Sequence, residues 1–420
     1  MKSKNPIRIA IIGGGPSGSV IAALLARRGH DVAIFDEDCR TDPVVGESLV
    51  PGVIPVFRRL GIEEKVAAIG VRKPGVTFRP SQEREFAFSF DSLPRRFPRY
   101  AYNVPRPEFD RILSDSAIES GARWIPARVQ LGAANDSLIL PPDALDRVPE
   151  WNGRQPDLFI DASGRRRRVA GLLGIPAEIG GRRDVSYFAH FEGFDEEKPA
   201  GQVRINRLAN GWCWRIPLRG RMSFGIVLDR STASALGHTP EEKVDAVLKT
   251  DPLLREEASN ARRLTPVMTH GNYQLVSSRA YGANWVAVGD AYGFVDPMLS
   301  PGMMVALQSS VILDQELASR SMMEALRNYE ARVSVTLEAW RELIGYFYNG
   351  RIFDLNEQGR QYQARYPWFP FGKVDSFMSA VLSGMASGFT TTSPWSRGIL
   401  RSSSRFVLGQ MQEASRYAVA

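Results

Sequence analysis

One stretch near the N-terminus constrains this chain more than any other: "IRIAIIGGGPSGSVIAALLARRGHDVAIFD". A short apolar run, Ile7 to Ile12, reads as a buried parallel strand, and "VIAALLARRG" repeats its apolar positions at helical spacing. Between them stands Gly13-x-Gly15-x-x-Gly18, and a second strand, Val32 to Phe35, ends at Asp36. A dinucleotide demands this order. Gly13 allows a tight turn, Gly15 lets the backbone approach a pyrophosphate, and Gly18 lets helix and strand pack closely. The helix N-terminus, with Ser17 in its first turn, offers unpaired N–H groups and partial positive charge to phosphates. Asp36 follows at the distance where a carboxylate can accept ribose hydroxyls. The expected fold class is α/β, with a Rossmann-like dinucleotide-binding domain.

Composition limits what else the chain can be. At 420 residues, 44% hydrophobic and 24% charged, it is an ordinary globular protein with room for more than one core. Only Cys39 and Cys213 are present, so there is no disulfide framework or metal-ligand spacing, and a reducing cytoplasm is the natural reading. No signal peptide is read at the N-terminus, and no apolar run reaches the ~20 residues of a membrane span. "FMSAVLSGMASGF" (Phe377–Phe389) is short enough only to rest on a membrane or cover a pocket. The net charge of +7 is concentrated in arginine runs such as Arg165–Arg168, which suit anionic ligands or an acidic partner. No zinc, helix-turn-helix or single-strand signature points to nucleic acid. His30, His190, His238 and His270 show no metal spacing and are assigned no role.

The cofactor is read from the C-terminal third. "NWVAVGDAYGFVDPMLSPGMMVALQSS" gives a strand, Trp285 to Val288, then Gly289-Asp290, a loop and a long helix. The segment "VPRPEFDRILSDSAIESGA" carries Arg106 before a Phe-Asp helix, and "LFIDASGRRRR" carries an Asp-Ala-Ser-Gly turn at Asp161 to Gly164. These pieces resemble the glutathione-reductase-like FAD fold of aromatic hydroxylases, geranylgeranyl-type reductases and flavin-dependent halogenases. The resemblance implies FAD, with Asp290 at the ribityl chain and Arg106 beside the cofactor. By itself, Asp161 is read as an ordinary turn cap; the resemblance adds it to the cofactor residues.

"WCWRIP", Trp212 to Pro217, narrows the family. On a strand, Trp212 and Trp214 should share one face, either as sheet core or as a wall. The motif Trp-x-Trp-x-Ile-Pro is similar to that of flavin-dependent halogenases, where bulky walls between flavin and substrate pockets shield a reactive intermediate. "GVRKPGVTF" supplies Lys73 where such enzymes carry a lysine; read without the resemblance, Lys73 is a surface lysine before Pro74. "VVGESLVPG" supplies Glu47 and Ser48 on a segment that runs along the flavin in that family. The resemblance implies that flavin hydroperoxide converts halide to hypohalous acid, which meets the lysine and is aimed at an electron-rich ring. Lysine suits this task because its pKa falls readily on burial.

The chain departs from that pattern in its halide loop. "DPMLSPG", Asp296 to Gly302, places Pro301 where a backbone N–H would help hold halide, and proline has none. Pro297, Gly302 and Met303 remain as expected cofactor and halide contacts. Leu299 stands where tryptophan halogenases have a glutamate, so a phenol- or pyrrole-type substrate is expected, free or tethered to a carrier protein. With no second dinucleotide fingerprint, a separate flavin reductase is the expected source of reduced FAD. Two other activities share most of these motifs: an aromatic monooxygenase, and a reductase of prenyl or other lipid double bonds.

The expected layout is a discontinuous FAD domain (1–75, 105–185 and 270–325) and an inserted, mostly antiparallel sheet (76–104 and 186–269). A C-terminal helical region, 326–420, should cover the pocket. Its aromatic stretch Tyr366–Gly372 is read either as core cover or as a pocket lid.

Overall fold

The computed structural model describes residues 6–37, 44–93, 95–195, 198–271 and 274–365, with Pro367 and Gly398. Apart from Pro367, the two C-terminal stretches Tyr366–Gly372 and Phe377–Phe389 lie outside the described residues, as does Cys39.

Five parallel strands form one sheet, in the order Trp285–Ala287, Leu158–Asp161, Arg8–Ile12, Asp31–Asp36 and Arg123–Pro126. Its central strand, RIAII, is buried almost throughout, as a parallel strand covered on both faces must be. The turn after it works as the glycine spacing predicts. Gly13 sits at φ +104°, which L side chains rarely adopt, and its N–H bonds the Phe35 carbonyl at 2.9 Å. A Cβ on Gly18 would stand 2.0 Å from the Gly13 carbonyl oxygen, so only glycine lets helix Pro16–Arg27 approach this closely. Helix Pro301–Ser319 packs beside it. There Asp314, fully buried, is paired with Arg28 and Arg59. Two charges offset its desolvation, which a lone buried carboxylate could not bear.

A second sheet of eight strands covers the carboxyl ends of the first. Its order is Arg262–Arg263, Asp184–Glu192, Arg221–Asp229, Gly211–Leu218, Val203–Leu208, Gly75–Ser81 and Arg84–Ser89. Met268–Gly271 pairs alongside Asp184–Glu192. Every pairing is antiparallel except that of Val203–Leu208 with Gly75–Ser81.

Strand periodicity divides the side chains of this sheet between two cores. Phe188, Ile205, Trp212, Trp214 and Val227 face the dinucleotide domain. Ala189, Phe191, Cys213, Phe224 and Ile226 face the other way, under helices Pro240–Thr250 and Pro252–Glu257. Burial on both faces explains why "RMSFGIVLD" reads as an apolar run rather than a clean alternation. It also pushes the Cys213 thiol up to about 12, leaving it inert.

After the second sheet, helix Met322–Tyr348 begins at Ser321 with Glu324 returning to the Ser321 N–H. It ends by bringing Tyr348 back to the junction of the two sheets. Helix Arg351–Arg365 follows. Among the described residues no helix is long and apolar enough to cross a membrane, and no group of His, Cys, Asp or Glu could hold a metal ion.

Candidate active site

A cavity of about 520 Å³ lies between the carboxyl ends of the parallel strands and the inserted sheet. Open α/β sheets hold ligands at such strand ends. One end is the fingerprint turn: Gly13, Gly15, Ser17 and Asp36 all line it. Gly15 opens directly into space, since a Cβ there would meet nothing within 4 Å. The helix that starts at Pro16 has no side-chain cap, so its first N–H groups are available to a phosphate. Glu37, next to Asp36, is ion-paired with Arg166 at 3.3 Å and also with Arg168. Arg165 from the same run lines the cavity. Arg165, Arg166 and Arg168 of this run thus border the dinucleotide site.

Further along, Arg106 lines the cavity and is held by Asp110 at 3.0 and 3.1 Å and by the Val45 carbonyl. Asp290 lines it too, and burial pushes its carboxyl up to about 6 against the opposing pull of Arg165 and Arg106. Gly289 before it has φ +57°, and a Cβ there would come within 2.2 Å of Ser17 Oγ. Pro297, Leu299, Ser300, Gly302 and Met303 complete this wall. Leu299 and Ser300 are both in the left-handed region, at φ +67° and +56°. Non-glycine residues rarely adopt it, and this pair turns the chain into the helix that starts at Pro301.

Asp161 does not line the cavity. Its carboxylate accepts from Ser163 N at 3.0 Å, Ser163 Oγ at 2.5 Å and Val169 N at 2.9 Å. The side chain is fully buried and committed to its own turn. Ala162, Ser163 and Gly164 present the turn to the cavity in its place.

The opposite wall is the inserted sheet. Trp212 and Trp214 both line the cavity, with ring centroids 5.7 Å apart, so the pair shares one face as strand geometry requires. Trp214 lies across Gly225, where a Cβ would stand 2.2 Å from its ring, and its Nε1 donates to Ser223 Oγ at 3.3 Å. Trp212 Nε1 donates to the Tyr348 hydroxyl at 3.1 Å, which donates in turn to Asp296 Oδ1 at 3.1 Å. Burial raises Asp296 to about 6, and raises Tyr348 well above the usual phenol range. Trp212 and Tyr348 also wall a small aromatic hollow of about 20 Å³ with Phe78, Phe347 and Phe353. They are a partition with a space on each side.

Lys73 ends the short strand Val71–Lys73 and is 1% exposed, so it is not a surface lysine. Its Nζ donates to Ser48 Oγ at 2.8 Å and to the Leu49 carbonyl at 3.0 Å, and lies 5.5 Å from the Phe90 ring centroid. Glu47 and Ser48 line the cavity, and the amine stands behind Ser48. Burial pushes the amine down to about 7. On the far side of the same segment, Glu47 Oε1 meets His190 Nε2 at 2.7 Å, both side chains almost wholly buried.

Arg165 belongs to the arginine run whose charge suits an anion, whereas no sequence signal marks His190 or Tyr348.

Fold and cavity together define a two-layer flavoprotein type, with a dinucleotide groove roofed by an antiparallel sheet. The sequence pattern of the tryptophan halogenase family matches residues 8–97 and 91–352, and the chain belongs to that family of flavin-dependent halogenases. It is similar to the tryptophan 2-halogenase of Chondromyces crocatus, 30% identical over 322 residues, 74% of this chain and 61% of that protein. It is also 26% identical over 385 residues to the 1H-pyrrole-2-carbonyl-(peptidyl-carrier protein) chlorinase of Pseudomonas fluorescens, covering 82% of this chain and 84% of the relative. The fold matches the flavin-dependent brominase Bmp2 with a TM-score of 0.79 at 20% identity, over 97% of this chain and 100% of that one. The myxobacterial chondrochloren halogenase CndH matches with a TM-score of 0.72 at 21% identity, over 92% and 97%. The chain thus spans about three fifths of the Chondromyces relative and most of the others.

FAD is the cofactor of this family, and the residues here fit it. The open approach at Gly15, the uncapped helix start, the acid at the end of the second strand and Arg106 and Arg165 lie along one continuous groove.

Proposed function

We propose that this protein is an FADH2- and O2-dependent halogenase of an electron-rich aromatic substrate of the phenol or pyrrole type. The observation that carries this reading is the enclosed Lys73 amine behind the cavity wall, bonded to Ser48 and Leu49. Gly13, Gly15, Ser17, Gly18, Asp36, Arg106, Gly289 and Asp290 would hold FAD, with Glu47 and Ser48 alongside and Pro297, Gly302 and Met303 near its reactive end. Bound reduced FAD would activate O2, and O2 would supply the two oxidising equivalents that turn halide into an electrophilic halogen.

The remaining chemistry falls to the chain. Trp212 and Trp214 keep water and the substrate ring away from the oxidising side. Lys73, with a pKa of about 7, is split between amine and ammonium near neutrality. It can therefore accept the halogen or donate a hydrogen bond to it, and orient it toward the ring. The helix start at Gly302 and Met303 supplies N–H donors and dipole for the halide. A carrier-tethered substrate is supported by the chlorinase relative named above, whose substrate is a pyrrolyl group on a peptidyl-carrier protein. Reduced flavin would come from a separate reductase.

Pro301 favours a second reading, direct oxygen transfer to the aromatic ring, because its lack of an N–H removes one halide donor. The experiment supplies reduced FAD, O2, chloride or bromide and a panel of phenols, pyrroles and indoles, and reads product masses. Halogenated product that vanishes in Lys73→Ala while FAD still binds supports the proposal. Oxygenated product indifferent to halide selects the second reading.

A further inference from the structure

The Gly46–Leu49 segment is gripped from both faces. After Gly46, at φ +97°, Leu49 N bonds the Tyr102 carbonyl at 2.9 Å and Val104 N bonds the Glu47 carbonyl at 2.7 Å. Ser48 pairs with Asn103, whose strand, Ala101–Asn103, pairs with Val71–Lys73. The segment is thus bridged to the two-stranded ribbon that carries the amine. Successive side chains of an extended chain point to opposite sides. Ser48 accordingly reaches Lys73, and Glu47 reaches His190 on the inserted sheet.

His190 is itself fixed. Its backbone N–H donates to Thr265 Oγ1 at 3.0 Å, and it lies opposite Ser223, the residue that accepts the Trp214 indole N–H. Upstream, Arg106 holds the Val45 carbonyl, and a Cβ on Gly46 would stand 2.8 Å from Arg106 Nη1.

We propose that His190 is a positioning residue: by holding Glu47 it keeps the Gly46–Leu49 segment in the register that encloses the Lys73 amine. Both members of the pair are 2% exposed. Removing the histidine strands a buried carboxyl group without its partner, a state that drives it toward water. The nearest water is the cavity that Glu47 already lines. As Glu47 turns into it, Ser48 and the Leu49 carbonyl leave Lys73, and the amine opens to solvent. The consequence for catalysis rests on the function proposed above, but the enclosure itself does not.

The test is limiting acylation of the full-length chain with acetic anhydride, read by peptide mass spectrometry, with exposed Lys65 as internal standard. In the wild type, Lys73 should label more slowly than Lys65. In His190→Ala, Lys73 labelling should rise about tenfold relative to Lys65, the factor for one lost hydrogen bond of ordinary strength. His190→Gln, which keeps a side-chain N–H donor, should stay near the wild type. Should His190→Ala fail to fold, His190→Leu carries the same comparison. Unchanged protection in the donor-less variant overturns the proposal, and so does a glutamine variant as reactive as alanine. Labelling needs neither flavin nor halide, so a wild type that fails to halogenate would sink the proposed function and leave this test standing.

Discussion

Lys73 Nζ lies 2.8 Å from Ser48 Oγ, and that hydroxyl separates the amine from a cavity built for a dinucleotide. The bond joins the short strand Val71–Lys73 to the segment that borders the flavin groove. Burial pushes that amine down to about 7, and under the proposed function it is the group that would meet an electrophile leaving the groove.

Replacing the amine should therefore uncouple binding from chemistry. Lys73→Met is expected to lower halogenation at least ~100-fold, within the range of general acid–base and nucleophilic contributions, while flavin titration stays near wild type. Burial lowers the amine's pKa to about 7 from an unfolded value of 10.5. Between those values the unfolded chain holds a proton that the folded chain lacks, so stability rises with pH. The melting temperature of the wild type should gain on that of Lys73→Met as pH rises from 7 toward 10. Paired thermal melts across that window check it.

The Trp212–Tyr348–Asp296 chain makes a second prediction. Tyr348→Phe removes the acceptor for Trp212 Nε1 and a donor to Asp296, at a cost of about 1–3 kcal/mol for buried groups left unpaired. More oxidised halide should then escape to a dimedone-type trap per flavin consumed. Asp296 is raised by burial to about 6 from 3.8. The folded state thus keeps a proton that the unfolded state releases, and this group's stabilising share is lost as pH rises from about 4 through 6. Without the tyrosine donor the folded pKa climbs further, so the Phe variant should lose more stability across that window.

Gly225 leaves room for the Trp214 ring, with a Cβ position 2.2 Å from it. Gly225→Ala should push the indole off its seat and toward the cavity, costing about 1–3 kcal/mol as an overpacked core does. Denaturant melts give the energy. A changed tryptophan emission that no longer responds to added FAD would locate the displacement.

Pro301→Thr restores a backbone N–H at the start of helix Pro301–Ser319. If halide is held there, its KM should fall several-fold with little change in flavin affinity, one added donor being worth about 1 kcal/mol. Initial rates against bromide concentration decide it, and an unchanged KM would place the halide elsewhere.

Two kinds of information separate cleanly in this chain. Short-range periodicity and glycine spacing determined the strand–turn–helix at Gly13 to Gly18, the acid at Asp36 and the shared face of Trp212 and Trp214. These features follow from backbone sterics and side-chain alternation within a few residues. The halide-loop departure at Pro301 was readable too, since a missing N–H is a property of the residue itself. The turn cap at Asp161, readable from the Asp-Ala-Ser-Gly sequence, is present as well. Only the tertiary structure joined His190 to Glu47 across 143 residues and Trp212 to Tyr348 across 136. Topology chooses partners at such separations. No local pattern marks a histidine on an apolar strand as the holder of a distant carboxylate, or a lysine before proline as enclosed.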